Sequence, residues 1–222
     1  MTPPKAVLSW STGKDCAFAL IEAQRQGLAE VVALLATTNE AFGRVAMHGT
    51  RNALLRAQAE ALGLPLIEVP LPWPCSNAEY EARMEAALSR VAALGATRMI
   101  FGDLFLEDVR AYREAKLAGT GIAPLFPLWG RPTAALAREM IASGIEACLV
   151  TVDPAKLDPG FAGRRFDEIL LAELPEGVDP CGENGEFHTA VLGHPMFSRA
   201  IDAEPGETVT RDGFVYADLI PA

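Results

Sequence analysis

The chain has 222 residues, half of them hydrophobic, and a formal net charge of −10. That length supports one large domain or two smaller ones, and the hydrophobic share excludes a disordered chain. The charge excludes broad nucleic-acid binding, and apolar runs far below the roughly 20 residues of a membrane-crossing helix exclude that class too.

Four scattered cysteines, Cys16, Cys75, Cys148 and Cys181, form no CxxC pair and read as reduced thiols without metal-ligand spacing. With an N-terminus that runs into a strand without a signal pattern, they point to a cytoplasmic location.

Apolar runs alternate with amphipathic stretches, the pattern of a parallel sheet with helical crossovers. Ala6–Ser9 reads as the first strand and Lys14–Gln26 as a helix stopped by Gly27. Val31–Leu35 is the second strand, with Thr37, Thr38 and Asn39 at its carboxyl end, the edge where open parallel sheets bind ligands. His48 follows in a loop, more readily structural than ligating by itself, and is carried among the nucleotide-binding candidates.

A helix over Arg51–Leu62, a strand over Leu66–Val69 and a stiff proline loop from Pro70 to Cys75 come next. Asn77 is the expected cap of a helix to Leu94, and Met99–Phe101 is the fourth strand. Glu107–Ala118 reads as a helix, Pro124–Leu128 as the fifth strand, and Thr133–Ala142 as a helix capped by Thr133. Trp73 and Trp129 are expected to pack. Glu146–Val152 is a further strand, a helix lies near Arg164–Leu171, and a hairpin turns at Asp212-Gly213. The expected fold is thus α/β: a Rossmann-like nucleotide-binding domain over 1–130 and a smaller α+β domain over 131–222.

Three polar groupings stand out. Ser9-Trp10-Ser11-Thr12-Gly13-Lys14-Asp15-Cys16 joins the first strand to the first helix. Helix-start amides, the Ser11 and Thr12 hydroxyls, Gly13 and the Lys14 charge together suit an anion, although Asp15 alone would also fit an ordinary helix start. Gly102-Asp103 ends the fourth strand, with Arg110 and Arg113 on the helix after it. The glycine would let a nucleotide approach the backbone; the arginines suit a carboxylate, or simply local ion pairs. Finally, Cys181-Gly182-Glu183-Asn184-Gly185-Glu186-Phe187-His188-Thr189 gathers two carboxylates and an imidazole. Its two glycines suggest a tight loop that aims Glu183, Glu186 and His188 into one space.

The first grouping resembles the pyrophosphate loop of the ATP pyrophosphatase superfamily, with Thr12 in place of its first glycine and Cys16 in place of its closing serine. Together with Gly102–Asp108, Phe126–Arg131 and Cys181–Thr189, it makes the chain resemble the diphthine–ammonia ligase family. The resemblance implies a HUP-type fold, ATP and Mg2+ as cofactors, and amide formation through an acyl-adenylate. It implies nucleotide contacts at Ser9, Ser11, Thr12, Gly13, Lys14, Asp15, Thr37, His48, Gly102 and Asp103, with metal at Asp15. Lys14, Asp15, Glu183, Glu186 and His188 would be catalytic, and Arg110, Arg113, Asn184 and Thr189 would meet the substrate.

The implied partners are ATP, ammonia and a carboxylate, the diphthine of elongation factor 2 where the host makes it; a homodimer is compatible. Thr12 puts a side chain where the backbone should meet pyrophosphate. Two other readings share the loop: a pyrophosphatase acting on a different, small-molecule carboxylate or transferring sulfur to tRNA, and a nucleotide sensor without catalysis.

Overall fold

The computed structural model describes residues 2–222. Its first half is a sheet of short, apolar, mostly parallel strands, and the second half is an antiparallel sheet. Strands β1 (Lys5–Ser9), β2 (Glu30–Asn39), β4 (Leu66–Leu71), β5 (Arg98–Ile100) and β6 (Ala123–Leu125) lie in the parallel order β4-β2-β1-β5-β6. This is the Rossmann-like order expected of a chain whose strands alternate with helices. The two-residue β3 (Arg44–Val45) pairs antiparallel with the far end of β2.

Helices α1 (Lys14–Arg25), α2 (Asn52–Leu62) and α5 (Thr133–Ala142) share one core cluster with strand residues such as Leu8, Leu34 and Ile100. Helices α3 (Asn77–Ala93) and α4 (Glu107–Leu117) cover the opposite face over Val7, Ala33 and Met99.

The antiparallel sheet runs β8 (Phe187–Gly193), β7 (Glu146–Val152), β10 (Phe214–Pro221), β9 (Ala203–Arg211). The β9–β10 hairpin turns at Asp212-Gly213, both at positive φ, as a two-residue turn of that composition requires. Arg44 and Arg51 converge on Asp218 of β10, with Arg51 gripping the carboxylate through Nε and Nη2. The two sheets are thereby bolted together. Burial opposes the Asp218 charge, but the bonds from Arg51 and Arg44 outweigh it and hold the carboxyl below its usual range.

Several boundaries differ from the sequence reading. Ser76, not Asn77, caps α3: its hydroxyl accepts from the Glu79 amide while the Glu79 carboxylate accepts from the Ser76 amide. Pro132, not Thr133, precedes α5, because proline's fixed φ suits that turn. Strand β4 extends into Pro70-Leu71, which pair with Thr38-Asn39, so the proline loop begins later. The fifth strand stops at Leu125, where the Trp129 amide turns back to the Phe126 carbonyl.

The stretch 164–166 is extended, not helical, because it bonds to β7 through Leu149 N–H to Arg164 O and Phe166 N–H to Ala147 O. Helix α6 (Glu168–Glu173) starts only after Asp167, whose carboxylate accepts from the Leu170 amide. Trp73 does not pack inside; it is 64% exposed beside Phe42.

Gly102 has a packing reason of its own. A Cβ there would lie 2.8 Å from the Asp15 carbonyl carbon and 2.9 Å from the Cys16 nitrogen. The glycine admits the start of α1 against the end of β5. Both clashing groups are backbone and cannot swing away, so Gly102→Ala should cost about 1–3 kcal/mol, read as a lower denaturant midpoint at unchanged slope.

Candidate active site

A cleft of about 880 Å³ opens at the carboxyl ends of β1, β2 and β5. Ser9, Ser11, Asp15 and Cys16 line it from the first loop, Thr37 from β2, and Gly102 and Asp103 from the end of β5. His48 lines it from the turn after β3, and Glu183 and His188 come from the second sheet's loop. Two segments about 170 residues apart therefore face one space, with Glu183 and His188 but not Glu186 of the expected trio lining it. Glycines do fold the second loop: Gly182 and Gly185 have φ of 71° and 81°.

The first loop is built around Thr12, whose φ is 72°. A threonine in this left-handed region costs about 1–2 kcal/mol, where glycine costs nothing. Its neighbours supply the compensation. The Thr12 hydroxyl is buried against that of Thr50 at 2.9 Å. Its carbonyl accepts from Gln58 Nε2 at 3.1 Å and from the Val191 amide of β8 at 2.9 Å. The side chain thus turns inward and does not line the cleft.

Gln58 is fully buried and uses its whole amide. Besides the Thr12 carbonyl it donates to the Val191 carbonyl at 2.7 Å and accepts from Trp10 Nε1 at 2.7 Å. The sequence reading missed it, although a lone amide on the apolar stripe Leu54, Leu55, Gln58, Ala59 was the available signal.

Other expected contacts are already used by the protein. Gly13 does not face open space: a Cβ there would meet His48 Cε1 at 2.8 Å and the Thr189 carbonyl oxygen at 3.2 Å. Thr189 does not reach the cleft; its hydroxyl accepts from the Lys14 amide at 3.1 Å, capping α1 from another sheet. The helix rule leaves the next amides, of Asp15 and Cys16, without intrahelical partners on the cleft side.

Lys14 is 1% exposed, and its Nζ donates to the Cys181 carbonyl and to Asp15 Oδ2. Burial works against its charge, but the Asp15 carboxylate bonded to it outweighs that, so its pKa lies above the usual value. The ammonium is a fixed positive charge beneath the loop, flanked by the rings of Phe166 and Phe187 at 5.3 Å. It is not an open phosphate ligand.

Glu186 also turns away from the cleft. Its Oε1 accepts from the Asp179 amide and from Asn184 Nδ2, stitching the 179–186 loop together. Asn184 itself is exposed, and its carbonyl accepts from Lys156. Arg110 is outside the cleft, paired with Glu114 and stacked over Phe126 and Trp129. Arg113 does line it, bonded to Asp103 at 3.3 Å and lying over Phe101.

Glu183 is the cleft's perturbed acid. Burial raises its carboxyl to about 7, helped by Asp15 and Asp103 and opposed by the Leu104 amide that bonds Oε1 at 2.8 Å. His48 and His188 stack at 4.6 Å, both neutral: burial lowers them to about 4 and about 3 respectively. Burial raises the Cys16 thiol to about 11 and raises Cys181 as well, so both are inert at neutral pH.

Among the described residues, no group of three His, Cys, Asp or Glu side chains is arranged to hold a metal. Asp15 Oδ1, however, is buried with no partner. A single such carboxylate oxygen fits Mg2+, which keeps waters and takes its remaining ligands from phosphates.

The sequence matches the family model described as the diphthamide synthase N-terminal domain over residues 4–121, and that of the C-terminal domain over residues 132–217. The chain belongs to the diphthamide synthase family. Similar proteins include the diphthine–ammonia ligase of Danio rerio, 31% identical over 72% of this chain and 69% of that protein. The diphthine–ammonia ligase of Bos taurus is 37% identical over 72% of this chain and 66% of its own. That of Rattus norvegicus is 39% identical over 44% of this chain, so the match spans 39% of that relative's length. Among the described residues no helix is long and apolar enough to cross a membrane.

Two outcomes follow from this geometry. Gln58→Leu orphans the Trp10 N–H and the Val191 carbonyl and should cost about 2–4 kcal/mol, with weaker ATP binding by calorimetry. The two histidines have folded pKa values below their unfolded value of about 6.5, so the stability they carry is complete above that pH. It should fall progressively as pH drops toward about 4, in thermal melts taken across that range, and replacing both by Gln should flatten the slope.

Proposed function

We propose that the chain is an ATP-dependent ligase that adenylates a diphthine-type carboxylate and aminates it with ammonia. Membership of the diphthamide synthase family supports the ligase class. The observation that carries the chemistry is the meeting of a helix-start anion site with an acid of pKa about 7 in one cleft. We further propose a division of labour near residue 130, with the parallel sheet binding nucleotide and the remainder handling ammonia and acyl group.

In the first step a carboxylate oxygen bonds to the α-phosphorus while the bond to pyrophosphate breaks. Negative charge on the leaving group is balanced by the amides of Asp15 and Cys16, the Ser11 hydroxyl and the buried Lys14 charge. Asp15 would hold Mg2+, which supplies further charge neutralisation when bound. Asp103 and Arg113 flank the acyl side.

In the second step the ammonia nitrogen bonds to the acyl carbon and the bond to AMP breaks. Glu183 takes the proton that the attacking amine must lose, for which a pKa near the working pH is well matched. The neutral pair His48–His188 adds no competing positive charge and shields the activated ester from water. Glu186 and Thr189 act through the loops they hold.

A sensor reading would leave Glu183 without work, and inert thiols disfavour sulfur transfer. The protein with ATP, magnesium, ammonium and a diphthine-bearing acceptor should yield AMP and pyrophosphate; ADP would rule out adenylation. Glu183→Gln should lower kcat by about 10²–10⁴-fold with ATP affinity retained. Because the base works deprotonated, wild-type kcat should rise with pH through about 7, and the variant should lose that step.

A further inference from the structure

The cleft is longer than the loop needs. From the strand ends it continues between α3 and α4, above the face of the parallel sheet. Only Ala87 and Val91 of α3 are buried, so the helix rests on its sheet along a narrow line. The side it turns to α4 carries Tyr80, Met84 and Leu88, four residues apart and all lining the space. Val109 and Tyr112 of α4 face them, and Met99, Leu117 and Ile122 make a buried apolar floor. Glu85 and Ser89 edge this wing where it meets water.

Both cations of the wing are already matched. Lys116 pairs with Glu81 across its outer rim, and Arg113 pairs with Asp103 at its junction with the nucleotide end. Two of the aromatic faces that would attract a cationic ligand are also taken, Phe101 by Arg113 at 4.7 Å and Tyr112 by Lys116 at 5.5 Å. Apart from the Glu85 carboxylate at its solvent edge, what remains is an apolar slot, continuous with a site read as handling phosphates and a carboxylate. Such a space suits an uncharged apolar body.

We propose that this wing is an acyl pocket, and that the cleft accepts free carboxylic acids with an aliphatic or aryl body besides a diphthine-type side chain. The body lies between Met84, Leu88 and Leu117 while the carboxylate reaches past Arg113 to the loop. The proposal rests on reading the cleft as an adenylating site, and its test separates the two.

Straight-chain acids from acetate to octanoate are titrated calorimetrically into the intact protein, with ATP titrated separately. Affinity should rise about fourfold per added methylene until the wing is full, the factor expected for burying one CH₂. Met84→Trp and, independently, Leu88→Trp fill half-exposed positions and should abolish the length dependence, with acetate and ATP affinities unchanged. A flat series, or a length dependence that survives both variants, overturns the pocket. So does an equal loss of ATP affinity in both variants, which would assign the wing to the nucleotide. Length-dependent binding without AMP formation upholds the pocket and removes the adenylation reading. AMP formation from a diphthine-bearing acceptor with a flat acid series does the reverse.

Discussion

The carbonyl of Thr12 carries two hydrogen bonds from elements far away in sequence, and the site depends on both. One comes from Gln58 in α2, the other from the Val191 amide in β8. They hold a threonine in a left-handed conformation that its side chain disfavours. The same β8 segment caps α1 through Thr189 and buttresses His48 with the Thr189 carbonyl. The loop between β1 and α1 is therefore not an autonomous strand–turn–helix motif. Its shape is set by the antiparallel sheet packed beneath it, so the two halves of the chain form one site.

That arrangement also sets the electrostatics. Withdrawing Lys14 from water and tying it to Asp15 and the Cys181 carbonyl turns a mobile cation into a fixed one. Interactions in such a low-dielectric setting are stronger than at the surface. Burial acts oppositely on the neighbouring groups, raising the Glu183 carboxyl toward neutrality and keeping His48 and His188 uncharged. One desolvated region thus yields a permanent cation, a titrating acid and two neutral rings.

The parallel sheet and most of its strands and helices were legible because hydrophobic periodicity and glycine stops are local signals. Glu146–Val152 and the Asp212-Gly213 hairpin were legible for the same reason. Caps were not: Ser76 and Asn77 are both acceptable, and only the reciprocal bonds with Glu79 decide between them. Nor was 164–166, where β7 supplies bonds that override helical spacing.

By itself the sequence determined where polar and glycine residues interrupt the apolar pattern: the Ser11–Cys16 turn, Gly102-Asp103 and the Cys181–Thr189 loop. Tertiary structure alone decided what each does. Gly13 and Gly102 lack side chains because protein atoms, His48 and the Asp15 backbone, occupy that space. Glu183 faces the cleft while Glu186, three residues on, stitches its own loop. Gln58 became central, and the α3–α4 wing appeared, only once distant elements met. Composition reveals what a side chain can do; its burial and its partners reveal which of those things it is free to do.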